Sequence, residues 1–264
     1  MIRRVPSALY TRDGSRYVPS EWTRSPWSPD SQHGGAPAAL IVGALEAHVR
    51  DADPPLQVAR ATFEFVKPVP LTPLSLRVSS LRSGARVRLL EATMSDGDGV
   101  VARARCVMLR VADLHTWDVV PPREAPPAPD PSLKEEAEWP WEAFHSHAMD
   151  LVFVGGEWLK SGPATVWLRM RVPVLDDEPV SPAQRACAAA DFGNGVSAVL
   201  PFGKWLFINP DLTVYLERPP NGEWVCLDAR TYLTSNGIAM SESELFDVDG
   251  RIGRSAQSLL VDKL

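Results

Sequence analysis

The chain has 264 residues, with 27 Lys and Arg against 33 Asp and Glu, a net charge of -6, and 45% hydrophobic residues. That length suffices for one large core or two small ones. The acidic balance, with no basic run anywhere, argues against a nucleic-acid partner. No stretch has the length or apolarity of a membrane span.

The first residues, Met1 to Pro6, carry two arginines but no apolar segment behind them, so they do not read as a secretory signal. Ser7 to Tyr10 and Arg16 to Val18 read as a short strand pair around the turn Arg12-Asp13-Gly14. A tryptophan- and proline-containing loop, Trp22 to Pro29, leads to Gln32-His33-Gly34-Gly35. From Ala36 to Arg50 the apolar spacing predicts a helix. Strand-like runs follow at Gln57 to Val66, Leu74 to Leu81, Arg86 to Met94 and Val100 to Val111, the last two separated by the turn Ser95-Asp96-Gly97-Asp98-Gly99. One helix followed by an antiparallel meander is an α+β pattern.

Residues 116–140 are proline-rich and read as an extended linker rather than packed structure. The order then repeats. Phe144 to Phe153, which carries His145 and His147 on one expected strand face, and Ala164 to Val172 are strand-like. Ser181 to Gly195 reads as a capped helix of small residues, with Ser181 as N-cap and Pro182 in the first turn. Trp205 to Glu217, Trp224 to Leu233, Ile238 to Phe246 and Ile252 to Val261 close the chain. At one constant offset, Phe65-Val66-Lys67-Pro68 matches Leu216-Glu217-Arg218-Pro219, and Asp98-Gly99-Val100 matches Asp249-Gly250-Arg251. The chain therefore divides into a first module at 1–115, the linker, and a second module at 141–264, each a helix laid across an antiparallel sheet. The offset sets Gln257 on Cys106, so a polar group is retained in one copy only.

Asp191 breaks local rules. It is an acid at the end of an apolar helix, the unfavourable end of the helix dipole. It either caps the Gly-Asn-Gly turn behind it or has work to do. The three cysteines are scattered, form no Cys-x-x-Cys pair and suggest a reducing cytoplasm without disulfides or zinc, and the histidines have no metal-ligand spacing. Cys187, among alanines and without a nearby His, reads as a core residue rather than a nucleophile. No Gly-x-Ser-x-Gly elbow and no phosphate-binding glycine loop is present.

These features together resemble the acyl-CoA thioesterase II-like family, with its double hotdog fold. The residues that carry the likeness are His33-Gly34-Gly35, Ala190-Asp191-Phe192, the strand Asn209 to Val214, Arg218-Pro219-Pro220, Asp249-Gly250-Arg251 and Gln257. The resemblance implies an acyl-CoA substrate, hydrolysis without metal or cofactor, and a homodimer or higher homo-oligomer, since sheets of this fold have edges to cover. In that family an Asp, a Ser or Thr, and a Gln hold the attacking water. Matched residue by residue, Asp191 and Gln257 take the first and last roles. The hydroxyl position falls on Asn209, a departure, with Thr213 on the expected same strand face as a fallback. Asn can donate and accept hydrogen bonds but cannot relay a proton. The N–H groups of Gly34 and Gly35 at a helix start are candidate donors to the thioester oxygen, or the glycines serve close packing; His33 is a helix cap or a site residue. A non-catalytic acyl-CoA binding protein is the alternative. A hotdog enoyl-CoA hydratase is disfavoured because no His follows Asp191 on its helix.

Overall fold

The computed structural model describes residues 5–114, 123–136 and 138–264. Thirteen strands form one antiparallel sheet: β1 (Tyr10–Asp13), β2 (Arg16–Pro19), β3 (Leu56–Phe65), β4 (Leu74–Ser83), β5 (Val87–Asp96), β6 (Gly99–Arg110), β7 (Met149–Gly155), β8 (Ala164–Met170), β9 (Trp205–Ile208), β10 (Asp211–Leu216), β11 (Trp224–Leu233), β12 (Ile238–Asp247) and β13 (Gly250–Lys263). Two helices, α1 (Gly35–His48) and α2 (Pro182–Ala190), pack on each other inside the curve of the sheet, and a single turn, α3 (Gly193–Val196), follows α2. The strand order β1-β2-β4-β5-β6-β3-β10-β13-β12-β11-β8-β7 reads the same plan outward from the central β3–β10 pair. At that pair Thr62 faces Thr213, and these two residues are related by the sequence offset itself. An approximate twofold axis thus passes between them.

Local chemistry explains the helices. Ser181 accepts from the Gln184 N–H and the Gln184 side chain accepts from the Ser181 N–H, a reciprocal capping box, with Pro182 in the first turn where a missing N–H costs nothing. Small residues on α2 and glycines on α1 let the two backbones approach. A side chain at Gly35 would meet the Ala188 carbonyl at 2.7 Å. The alanine-rich faces of both helices are buried against Phe63, Leu90, Met94, Leu168 and Leu227 from the sheet.

Three expectations change. The run Trp205 to Glu217 is two strands, because Asn209-Pro210 interrupts it: β9 pairs with the end of β13, whereas β10 pairs with β3 and the middle of β13. Proline has no N–H to give a ladder, so the chain changes partners there. His145 and His147 are not on a strand; they lie in a wide helical turn over Phe144–Ala148, ahead of β7. The described part of the linker is packed. The Trp167 indole donates to the Pro127 carbonyl at 2.7 Å, Arg123 pairs with Glu244, and the Glu135 N–H donates to Leu151 on β7. Residues 115–122, including Trp117, lie outside the described residues.

Other segments of the chain reach both ends of the sheet. Leu9 and Tyr10 donate to the carbonyls of Pro173 and Val174, beyond β8, and the Phe144 N–H donates to Arg24, beyond β2. Among the described residues Tyr10 is the one residue of β1 with such a bond on its free edge, so the edge argument for self-association stands for the rest of that strand. Among the described residues no helix is long and apolar enough to cross a membrane.

Candidate active site

Asp191 is the C-cap of α2 and is 3% exposed. Its place at the negative end of α2 is resolved by α1. Gly34, the N-cap of α1, lies so close that a Cβ there would sit 2.8 Å from Asp191 Oδ2 and 3.0 Å from Oδ1. The carboxylate disfavoured by its own helix faces the positive end of the other.

Three side chains hold it. Asn209 Nδ2 donates to Asp191 Oδ1 at 2.8 Å, and Gln257 Nε2 donates to the same oxygen at 3.1 Å. His33 Nδ1 lies 2.8 Å from Oδ2. Gln257 also donates to the Asp191 carbonyl at 3.3 Å and accepts from the Asn194 N–H at 3.2 Å, which ties the end of α2 to the start of α3. Asp191, Asn209 and Gln257 thus meet by direct hydrogen bonds, from the end of α2, the β9–β10 break and β13. Thr213 does not join them. With Leu212 and Val214 facing the core, its hydroxyl lies on the outer sheet face, where it donates to Thr62 at 3.3 Å. The shared-face expectation fails because the strand breaks between the two residues.

The backbone at His33 is fixed by its N–H to the Thr23 carbonyl, and that of Gln32 by its N–H to Val69. The His33 ring packs against both Phe144 and Phe192, with centroids 5.0 and 4.8 Å away. Gly34 lines the site; Gly35 is turned into the α1–α2 contact.

These groups form the polar end of a cavity of about 570 Å³. Its wall is largely aromatic and apolar, with Trp27, Phe65, Trp139, Trp158, Phe202 and Ile208, while His33, Gly34, Asp191, Asn194 and Asn209 supply the polar end. Gln257 stands behind Asp191 and does not line it. Trp158, Asn194 and His145 also lie on the wall, a place that sequence spacing does not indicate for them. Only Asn194, inside Gly-Asn-Gly beside Asp191, carried a local signal. His145 is buried, neither ring nitrogen has a hydrogen-bond partner among the described residues, and burial, with the neighbouring His33 and His147, pushes its pKa down to about 3. All three cysteines are unpaired and buried, and burial pushes the Cys187 thiol well above its ordinary range, which disfavours a thiolate.

The fold has known relatives. A protein of Alicyclobacillus acidocaldarius described as having a hot dog fold shares 19% identity over 97% of this chain and 96% of its own, with a TM-score of 0.70. A TesB protein of Mycobacterium avium subspecies paratuberculosis gives 0.69 at 16% identity, covering 96% of this chain and 95% of its own. The acyl-CoA thioesterase II TesB2 of Mycobacterium marinum gives 0.64 at 17%, covering 88% and 91%. The sheet and helices are those of the hot dog class. Residues 23–109 match the acyl-CoA thioesterase N-terminal domain and residues 122–261 the acyl-CoA thioesterase C-terminal domain, so the chain belongs to the acyl-CoA thioesterase family. No curated protein sequence matches it significantly.

Proposed function

We propose that the protein hydrolyses acyl-CoA thioesters to free acid and CoA at the Asp191 site, with its two halves acting as tandem hotdog modules that build one site between them. The observation that carries this reading is a single buried carboxylate, held by His33, Asn209 and Gln257, at the head of an apolar cavity large enough for an acyl group. Thioester hydrolysis needs a placed water, an acceptor for its proton and a donor to the developing oxyanion. Asn209 donates through Nδ2, which leaves its carbonyl oxygen to accept from a water. Gly34, at the start of α1 and on the cavity wall, offers the positive helix end to the thioester oxygen. Gln257 acts through Asp191 as a positioning residue. The homodimer implied by the family resemblance belongs to the same reading and is measured by light scattering.

The test is release of CoA from a panel of acyl-CoAs, followed with a thiol-reactive dye. Wild type is expected to turn over at least one member of the panel. Asp191→Ala is expected to lower kcat at least about 100-fold. Tight acyl-CoA binding with no release from any member would instead establish an acyl-CoA binding protein. Absorbance loss with an enoyl-CoA, without thiol release, would establish a hydratase.

A further inference from the structure

The carboxylate of Asp191 is poorly placed to take a proton from water itself. Its Oδ1 already accepts from two amides, its Oδ2 contacts His33, and it is 3% exposed. The imidazole beside it is better placed. His33 Nδ1 is 2.8 Å from a carboxylate oxygen, a separation at which that nitrogen must carry the hydrogen and donate it. The Gly35 N–H, 3.1 Å from the same nitrogen, then has no lone pair to use. With Nδ1 protonated, the neutral ring has its lone pair on Nε2. That nitrogen has no hydrogen-bond partner among the described residues and is not among the sealed polar atoms, and His33 lines the cavity. Phe144 and Phe192 hold the ring plane in place.

We propose that His33 is the general base of the thioesterase, with Asp191 fixing its tautomer and orientation. The inference rests on the thioesterase reading and assigns the proton within it. Nε2 takes a proton from a cavity water as the water oxygen bonds to the thioester carbonyl carbon, and the carbonyl electron pair moves to oxygen. When the carbonyl re-forms, the carbon–sulfur bond breaks. The imidazolium, held by the Asp191 carboxylate, returns its proton to the departing CoA sulfur. Water is consumed, acid and CoA thiol are formed, and His33 ends neutral. The titratable groups facing the ring are Asp191 from the end of α2 and His145 from the turn before β7. Burial holds His145 neutral, so it adds no limb of its own near neutrality.

The experiment compares kcat and KM across pH for wild type and His33→Gln, and adds imidazole to His33→Gly. Wild-type kcat/KM is expected to fall with one-proton dependence as pH drops and the base is protonated. His33→Gln is expected to lose about 10² to 10⁴-fold in kcat, with KM little changed, and to lose that limb. Free imidazole is expected to restore part of the activity to His33→Gly. As a readout independent of turnover, nitrogen NMR of the wild-type protein is expected to show the Nδ1–H tautomer at neutral pH. A His33→Gln enzyme with wild-type kcat and pH profile, or an Nε2–H tautomer in the wild type, overturns the base while leaving the thioesterase reading intact. Absence of any CoA release by the wild type overturns both.

Discussion

At the scale of single residues, His145 offers a measurement separate from catalysis. It is 3% exposed, edge-on to Trp139 with centroids 4.8 Å apart, stacked on Trp158, and its ring nitrogens meet no acceptor or donor among the described residues. Its folded pKa of about 3 lies below the ordinary histidine value of 6.5, so the unfolded chain binds the proton first. The neutral ring therefore costs nothing by this route above about pH 6.5, and stability is lost as pH falls from there toward 3. At pH 4.5 the loss is on the order of 3 kcal/mol. His145→Phe removes both unpartnered nitrogens, so it is expected to gain about 1 to 3 kcal/mol at pH 7 and to flatten this part of the pH dependence. Urea unfolding at pH 7 and 4.5 checks it; equal slopes in both proteins would refute the assignment. In the sequence His145 is one of two histidines spaced like strand neighbours, and nothing local shows the aromatic wall around it. Asp191 was legible for the opposite reason, since an acid ending an alanine helix is anomalous on the page. Its remedy, the start of α1, lies far away in sequence.

At the scale of elements, the helix contact depends on glycines whose purpose is spatial. Gly43 stands in the middle of α1, where alanine would ordinarily be favoured by about 1 kcal/mol. A Cβ there would lie 2.3 Å from Gln184 Nε2, the group that donates to the Ala39 carbonyl while the same amide closes the capping box of α2. Gly43→Ala is therefore expected to destabilise by about 1 to 3 kcal/mol, against its helix propensity. Adding Gln184→Ala relieves the clash, so the double variant is expected to be less unstable than the sum of the singles, a coupling read from a double-mutant cycle in urea. Additive effects would mean that the two helices do not lock through this amide. The capped helix and the strands were readable from caps, turns and alternation. The break at Asn209-Pro210 was readable only as a proline. That β9 and β10 take different partners depends on the whole sheet, and it is this that puts Asn209 at Asp191 and turns Thr213 away.

At the scale of the whole molecule, the repeat offset, visible in the sequence, becomes the approximate twofold axis through Thr62 and Thr213. The axis carries Lys67–Asp96 onto Arg218–Asp247, and in both turns the Asp also accepts from the N–H two residues on. Two helix-end contacts join α1 and α2, and the offset does not exchange them, since it sets Gln184 on His33 and Leu40 on Asp191. His33 before α1 meets Asp191 at the end of α2; Ser181 before α2 donates to Glu46 in the last turn of α1 at 2.5 Å. The surroundings differ. By the same offset Val58 and Cys106, both buried, stand where Asn209 and Gln257 stand. Leu40, also buried, stands where Asp191 stands, so the twin position has lost the acid and both amides; at the Ser181 contact burial raises the pKa of Glu46 while the Ser181 hydroxyl opposes the rise. We therefore expect one working site per chain. A thioether analogue of an accepted acyl-CoA, which cannot be hydrolysed, is expected to bind in calorimetry at one molecule per chain. Glu46→Gln, which can still accept from Ser181, is expected to leave kcat within about twofold, whereas Asp191→Asn, which disturbs the His33 tautomer, should lower it by orders of magnitude. Two bound molecules per chain, or an equal loss from both substitutions, would show that the second helix-end contact is also a site and that the duplication kept two.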